Sequence, residues 1–264
     1  MKLSCIPICL FGEITKRRLP LVKWYEMAAR LGLDGIEMYD GYLDRWDEKG
    51  LREEAKRVSD HGLKVSMLTG YGDLANADPE QQRKAVDMVR RNADAALIFG
   101  TNIVRVVSGV WPKGELRDQT LDRVAHGLRE CLAYAKTRQV TLALEDHPEI
   151  GTDIGDFIGV MMRVGGDGLK VNLDTSNPMV SGHNAVDLAR AIGARVVHVH
   201  ASDRNEKLEH VVLGRGVVDF DIIFHILKCE AKFDGWLSAE AGGEPTEAGI
   251  RASLDFLRKT WAEA

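Results

Sequence analysis

Long hydrophobic runs are missing from this 264-residue sequence, in which no stretch approaches the roughly 20 apolar residues that a membrane-spanning helix needs. We therefore expect no membrane partner. The opening segment, MKLSCIPICLF, is interrupted by Pro7 and has no small-residue cleavage site, which favours a first strand over a signal peptide. Cysteine is also scarce. The four cysteines include no CxxC pair, so they are interpreted as reduced thiols and predict a cytoplasmic location.

An excess of positive charge and linker-like segments are absent as well. The formal net charge is −5, with 35 Lys and Arg against 40 Asp and Glu. A surface that neutralises many phosphates favours a basic balance, so we expect no nucleic-acid partner. No Pro-, Gly- or Ser-rich stretch divides the chain, and we predict a single domain over residues 1–264.

What the sequence does contain is a regular alternation of short strand-like runs and helical segments. Eight of each follow one another, which gives about 33 residues per unit, as in a (β/α)8 barrel. The Gly-rich phosphate loop that usually follows an early strand of a doubly wound sheet is missing. These features predict an α/β fold of the (β/α)8 TIM barrel type, with Asp219 as the N-cap of the helix before the last strand.

Four of the strand-like runs end in a side chain that can bind a cation. Glu145, Asp174, His200 and Glu240 close the runs TLALE, LKVNLD, RVVHVH and WLSAE, and separations of 29, 26 and 40 residues lie between them. Each separation suits one βαβ crossover of about 30 residues, so the four strand ends should meet at one mouth of the barrel. Carboxylates buried there need a partner. Three carboxylates and one imidazole therefore predict a site for a hard divalent cation.

The barrel hypothesis also sorts the other histidines. His198 and His200 alternate along one strand, so both should point into the barrel. His147 follows the fifth strand in EDHPE and is expected to reach a bound substrate. His183 and His210 lie in loops on the same face and are weaker candidates. The remaining three fall in or at the ends of helices, where packing or surface roles are expected: His61, His126 and His225.

Six segments carry a family resemblance: LGLDGIEMY, ALEDH, VNLDTSN, RVVHVHASD, LGRGVVDF and FDGWLSAE. In them the chain resembles the xylose isomerase-like barrel superfamily, also called sugar phosphate isomerases/epimerases, which includes D-tagatose 3-epimerase, hydroxypyruvate isomerase, inosose dehydratase and endonuclease IV. The resemblance implies that one divalent ion is bound by Glu145, Asp174, His200 and Glu240. Mn²⁺ is the expected ion, with Mg²⁺, Co²⁺ and Zn²⁺ as alternatives.

The resemblance further implies an isomerase or epimerase that acts on a keto-sugar or a related polyol ketone. The ion would chelate adjacent carbonyl and hydroxyl oxygens and stabilise an enediolate, while Glu145 and Glu240 exchange the proton. Return of the proton to the opposite face gives epimerisation, and return to the neighbouring carbon gives isomerisation. Loss of a β-substituent instead gives elimination.

Two positions depart from the pattern of the tagatose-type epimerases. Asn177 stands where they carry a histidine, and Glu206 where they carry an arginine, although Arg204 is close by. A neutral amide donates a proton less readily than imidazolium. With His147 available, a lyase that cleaves 3-keto-glycosides or C-glycosides by elimination is the alternative function, and such an enzyme could work with a small second subunit.

Substrate contacts are expected at the mouth from Asn177, Arg204, Glu37 and Arg105, although Glu37 and Arg105 could equally serve in ion pairs. Arg215 has no second basic residue beside it, which favours an unphosphorylated sugar. Three aromatic loop residues could cover a sugar ring: Tyr71, Trp46 and Trp111.

Two rival classes stay open at this point. An endonuclease IV-like repair enzyme would need further histidine ligands after strands two to four, where GIEMYD, VSMLTG and VRVVSG offer none. A sugar-binding barrel without chemistry would not need two glutamates at the mouth. The sequence leaves open whether the chain forms a homo-oligomer.

Overall fold

The computed structural model describes residues 1–147 and 149–264 and contains the predicted barrel. Eight parallel strands form one sheet in the order β1-β8-β7-β6-β5-β4-β3-β2, so consecutive strands are neighbours. This order is that of a (β/α)8 barrel, and the prediction of fold class is confirmed. The strands are β1 Lys2–Ile6, β2 Gly35–Tyr39, β3 Lys64–Thr69, β4 Ile103–Val106, β5 Thr141–Glu145, β6 Lys170–Asp174, β7 Val196–Ala201 and β8 Trp236–Glu240.

Helices connect successive strands and cover the outside of the barrel. Most begin with a side-chain cap, as when Asp219 accepts from the backbone N–H of Ile222 at 3.2 Å, which confirms the predicted N-cap. A short helix in the first loop is not apparent in the sequence pattern. The helices are α1 Phe11–Thr15, α2 Leu21–Arg30, α3 Glu48–Asp60, α4 Pro79–Ile98, α5 Arg117–Arg138, α6 Ile154–Val164, α7 Ala185–Ile192, α8 Phe220–His225 and α9 Glu247–Glu263.

The barrel interior differs in character from the layer between strands and helices. The outer layer is apolar, with fully buried residues such as Val124, Phe157 and Leu254. The interior instead contains buried polar side chains, each at most 1% exposed: Ser4, Glu37, Ser66, Arg105, Asn172, His198, His200 and Ser238. Buried polar groups need hydrogen-bond partners, so this interior predicts an ordered polar network.

Strand register brings the predicted strand-end residues to one level of the barrel. Asp174 of β6 lies opposite His200 of β7, and Glu240 of β8 lies opposite Ile6 of β1. These positions lie at the carboxyl ends of the strands, where barrels of this kind place their functional groups. Of the helices described, none combines the length and apolar character of a membrane-spanning segment.

Candidate metal centre

Three of the four predicted ligands converge at the mouth. Glu145, Asp174 and His200 each offer one ligand atom, and these three atoms lie within 4.8 Å of one another. All three side chains are completely buried. Glu145 ends β5, Asp174 ends β6, and His200 is the next-to-last residue of β7. Because these strands are parallel neighbours, the three residues lie close together. Two carboxylates and an imidazole in this arrangement have the donor types that divalent transition ions accept.

The ring of His200 lies between two carboxylates. Its Nδ1 is 2.5 Å from Glu145 Oε1, and its Nε2 is 3.0 Å from Glu37 Oε2. Burial alone would lower the pKa of His200, but the negative charges of Glu37 and Glu145 outweigh it and raise that pKa well above its usual value. The imidazole is therefore held from both edges.

Glu37, expected from the sequence to contact substrate or an arginine, lies beneath His200 in the barrel interior. It is fully buried, and its second oxygen accepts a hydrogen bond from Ser238 Oγ. Burial raises its pKa, but the two neighbouring histidines, His200 and His198, bring the pKa below its usual value. His200 and Ser238 each contact one of its oxygens, so Glu37 is placed to hold the His200 ring in its orientation.

Glu145 is tied to strand β4 by a buried ion pair. Arg105 Nη1 donates to Glu145 Oε2 at 2.8 Å, and both side chains are at most 1% exposed. Asn172 Nδ2 donates to the other oxygen at 3.1 Å. Burial would raise the pKa of Glu145, but the positive charges of Arg105 and His200 bring it well below its usual value. Of the two expectations for Arg105, the structure places it against a carboxylate.

Asp174 is fixed through one oxygen, while the other receives no hydrogen bond within residues 1–147 and 149–264. Its Oδ1 accepts from the backbone N–H groups of Ser176 and Asn177 and from Ser202 Oγ, at 2.8, 2.7 and 2.6 Å. Its Oδ2 is buried and has no hydrogen-bond partner among the described residues. A buried carboxylate oxygen without a donor is costly, and a cation would satisfy it. The donor set therefore fits a divalent ion.

Two more acidic groups surround this cluster. Glu240 lies outside the tight group of three, is partly exposed to the mouth, and has a pKa raised well above its usual value by burial and by the charge of Asp174. Asp146 was not predicted. Its Oδ1 accepts from the backbone N–H of Asp174 at 2.7 Å, and burial together with the Asp174 charge raises its pKa. Its place directly after Glu145 in EDH is the one sequence feature that points to it.

An aromatic and basic group lies on one side of the mouth. The ring of Tyr71 lies 4.3 Å from the guanidinium carbon of Arg105 and 5.2 Å from the ring of His147. Tyr71 is 46% exposed, so it forms part of the accessible wall. The two predicted lid tryptophans instead contact helix arginines, Trp46 at Arg91 and Trp111 at Arg117.

Another wall of the mouth contains Asn177, one of the two positions at which the chain departs from the epimerase pattern, together with Arg204. Arg204 Nη2 donates to Asn177 Oδ1 at 3.2 Å, and its Nη1 donates to the carbonyl of Leu208 at 2.7 Å. His210 pairs with Arg204 in an antiparallel bridge, and both its burial and that positive charge lower its pKa. By contrast, His183 contacts Asp153 on the exposed surface at 3.3 Å.

Asp203, also missed in the sequence, shapes the loop that follows β7. Its carboxylate accepts from the backbone N–H groups of Gly214, Gly216 and Val218 at 2.9, 2.9 and 3.2 Å. A Cβ at Gly216 would lie 2.1 Å from Asp203 Oδ1, so the loop requires glycine there. The segment LGRGVVDF is therefore folded around one carboxylate, while Arg215 turns outward to Glu244 at 2.8 Å.

Two carboxylates and an imidazole gather at the carboxyl ends of β5 to β7 in an eight-stranded parallel barrel. This arrangement defines a (β/α)8 protein of the class whose functional groups lie at that mouth. The particular family follows from the sequence. The family model described as xylose isomerase-like TIM barrel matches residues 25–260, and the chain belongs to this family. Its relatives are enzymes named as epimerases and dehydratases.

Three relatives illustrate the range of the family. The chain is 25% identical over 273 residues to an L-ribulose-5-phosphate 3-epimerase of Salmonella heidelberg, covering 96% of this chain and 92% of that one. It is 29% identical over 155 residues to an inosose dehydratase of Clostridium botulinum. That match spans only 52% of this chain and 52% of the dehydratase. A crystal structure of the IOLI protein with a binding zinc atom superimposes with a TM-score of 0.79 at 20% identity, covering 100% of this chain and 99% of that chain.

Proposed function

We propose that this protein is a divalent-metal-dependent isomerase or epimerase of a keto-sugar or a related polyol ketone. One observation carries the proposal: three buried donors converge at the barrel mouth, and Asp174 Oδ2 among them has no hydrogen-bond partner in the described chain. Such an arrangement is costly unless a cation completes it. The relative named as a sugar-phosphate 3-epimerase, which matches along nearly the whole chain, supports the carbohydrate class of substrate.

The proposed ligands are Glu145, Asp174, His200 and Glu240. Three carboxylates with one imidazole suit Mn²⁺, with Mg²⁺, Co²⁺ and Zn²⁺ as competitors. The zinc in the IOLI structure supports a divalent ion in a barrel of this shape. A bound ion would supply Lewis-acid stabilisation of the negative charge that develops on the substrate oxygens when a carbon-bound proton leaves.

The proton itself is moved by the two glutamates. Glu145 is completely buried and holds Arg105 through one oxygen, whereas Glu240 is partly exposed at the mouth. Glu240 is therefore the group that a substrate can approach most directly, with Glu145 acting from the opposite strand. Return of the proton on the other face of the carbon gives an epimer, and return to the adjacent carbon gives an isomer.

Substrate hydroxyls are proposed to meet the Asn177 and Arg204 pair on one wall and Tyr71 on the other. Asn177 and Arg204 already hold each other at 3.2 Å, so together they present amide and guanidinium donors in a fixed relation. Arg105 contributes through Tyr71, whose ring lies 4.3 Å from its guanidinium carbon. A sugar bound between these walls would expose a face to Glu240.

A lyase is the second candidate, and the position of His147 favours it. His147 lies against Tyr71 at the mouth, 5.2 Å between ring centroids, where an imidazole could protonate a leaving group during elimination. The relative named inosose dehydratase supports this alternative over half of the chain. A C-glycoside-cleaving enzyme with a small second subunit belongs to the same candidate class.

The test uses solvent exchange. The protein is supplied with Mn²⁺ in D₂O, and a panel of ketoses, inososes and 3-keto-glycosides is followed by NMR. Deuterium incorporation at the carbon next to the carbonyl supports isomerase or epimerase chemistry, whereas formation of an unsaturated product supports the lyase. Activity that survives complete chelation would refute metal dependence. Absence of both reactions across the panel, with the metal bound, would leave a sugar-binding barrel as the better description.

A further inference from the structure

The barrel interior beneath the candidate metal centre contains a carboxylate that the proposed chemistry does not use. Glu37 lies on β2, across the barrel from His200 on β7, and is completely buried. Its Oε2 is 3.0 Å from His200 Nε2, and its Oε1 accepts from Ser238 Oγ. Glu37 is therefore closed off from solvent and contacts His200 rather than the open mouth.

The two ring nitrogens of His200 face different groups. Nδ1 faces the cluster at the mouth, 2.5 Å from Glu145 Oε1, while Nε2 faces Glu37 inside the barrel. A carboxylate only accepts hydrogen bonds, so a contact with Glu37 keeps a hydrogen on Nε2. A cation must then bind through Nδ1, on the side where Asp174 Oδ2 has no other partner among the described residues.

We propose that Glu37 is a positioning residue for the metal centre: it accepts the Nε2–H of His200 and so holds the imidazole with Nδ1 directed at the cation. The inference rests on the proposed metal site and deepens it. Carboxylate partners of metal-binding histidines fix the tautomer and ring orientation, and their loss typically weakens metal binding by about 10–100-fold.

The surrounding contacts explain why Glu37 orients His200 and does not orient the neighbouring His198. Ser238 lies opposite His200 in the strand register and fixes the second oxygen of Glu37, so the carboxylate cannot rotate freely. His198 Nε2 is 3.8 Å from Glu37 Oε1, too far for a hydrogen bond, and its Nδ1 lies 2.8 Å from Asn172 Oδ1. Glu37 therefore supports His200, while Asn172 supports Glu145.

The experiment compares metal affinity in two variants and a control. Metal-free wild type, Glu37→Ala and Glu37→Gln are titrated with Mn²⁺ alone, and free Mn²⁺ is measured by electron paramagnetic resonance. Ser66→Ala is the matched control, because it removes a buried hydrogen bond to the carbonyl of Ile36, directly beside Glu37, without touching His200. Circular dichroism and thermal unfolding report whether each variant is folded.

The expected result is a Kd for Mn²⁺ about 10–100-fold weaker in Glu37→Ala, a smaller loss in Glu37→Gln, and no change in Ser66→Ala. Glutamine keeps an acceptor oxygen for His200 but not its charge. If the alanine variant does not fold, NMR of zinc-loaded, ¹⁵N-histidine-labelled wild type and Glu37→Gln tests the positioning role instead. In wild type the Nε2–H of His200 should be protected from exchange and shifted downfield by the carboxylate, and in the glutamine variant this shift should shrink.

Three outcomes count against the proposal. Folded Glu37 variants that bind Mn²⁺ as tightly as wild type overturn the positioning role, and so does an unchanged Nε2–H resonance in Glu37→Gln. In both cases the metal site itself survives if Asp174→Ala still abolishes binding. Wild-type protein that binds neither Mn²⁺ nor Zn²⁺ overturns the metal site, and the role of Glu37 with it.

Discussion

Replacement of Arg105 by methionine should be among the most damaging single changes in the barrel interior. Arg105 and Glu145 are both at most 1% exposed, their charged atoms are 2.8 Å apart, and Arg105 Nη2 also donates to the carbonyl of Gly70 at 3.2 Å. Removing one partner of a buried ion pair leaves an uncompensated charge and typically costs about 3–5 kcal/mol. Native domains are stable by only about 5–15 kcal/mol, so the metal-free variant should lose a large part of its free energy of unfolding.

The assay is equilibrium unfolding in urea in the presence of a chelator. The double variant Arg105→Met/Glu145→Gln should recover much of the loss, because it removes the charge that the single variant strands. Added Mn²⁺ should also stabilise Arg105→Met, since the proposed cation would compensate Glu145. Arg251→Met is the control, because it breaks only an exposed ion pair with Glu247 and should leave the midpoint unchanged. A single variant that loses less than about 1 kcal/mol, or a double variant no more stable than the single, would refute the reasoning.

Three further predictions concern the mouth. Asp174→Ala should abolish Mn²⁺ binding measured by calorimetry, because it removes both the acceptor of three hydrogen bonds and the oxygen that has no hydrogen-bond partner in the described part of the chain. Retained binding would exclude Asp174 as a ligand. Glu240→Gln should abolish solvent deuterium exchange into the substrate while the fold is kept. His147→Ala should stop turnover only if elimination is the reaction, so kcat values of both variants on one substrate separate the two candidate functions. Asp203→Ala should cost about 1–3 kcal/mol, because three backbone N–H groups lose a common acceptor, and limited proteolysis should cut residues 204–218 faster than in wild type; equal cleavage rates would show that the carboxylate does not hold the loop.

The chemistry proposed for the mouth depends on residues at strand ends, and the bounds of those strands follow the runs in the sequence. Glu145, Asp174 and His200 each close a short apolar run, which predicts that they meet at the mouth, and the structure brings those three together. Glu240 closes a run of the same kind but lies outside that group of three. Its assignment as a fourth ligand stays a proposal, to be tested by metal binding.

The partners of the interior side chains were not accessible in the same way. Glu37 was expected at the mouth in contact with substrate or an arginine, yet it lies beneath His200. Asp146 and Asp203 were not singled out at all. Each of these carboxylates acts through groups that are distant in the chain or through backbone N–H groups, and neither kind of partner leaves a pattern in the residues nearby.

The sequence by itself determined the barrel and the strand ends at which its functional groups lie, because strand and helix periodicities are local and each βα unit carries its own signal. Only the tertiary structure decided which side chains meet inside. Glu37 and His200 are 163 residues apart, and Arg105 and Glu145 are 40 apart. Pairing of the neighbouring strands β4 and β5 brings Arg105 to Glu145, and the curvature of the sheet into a barrel brings Glu37 on β2 to His200 on β7.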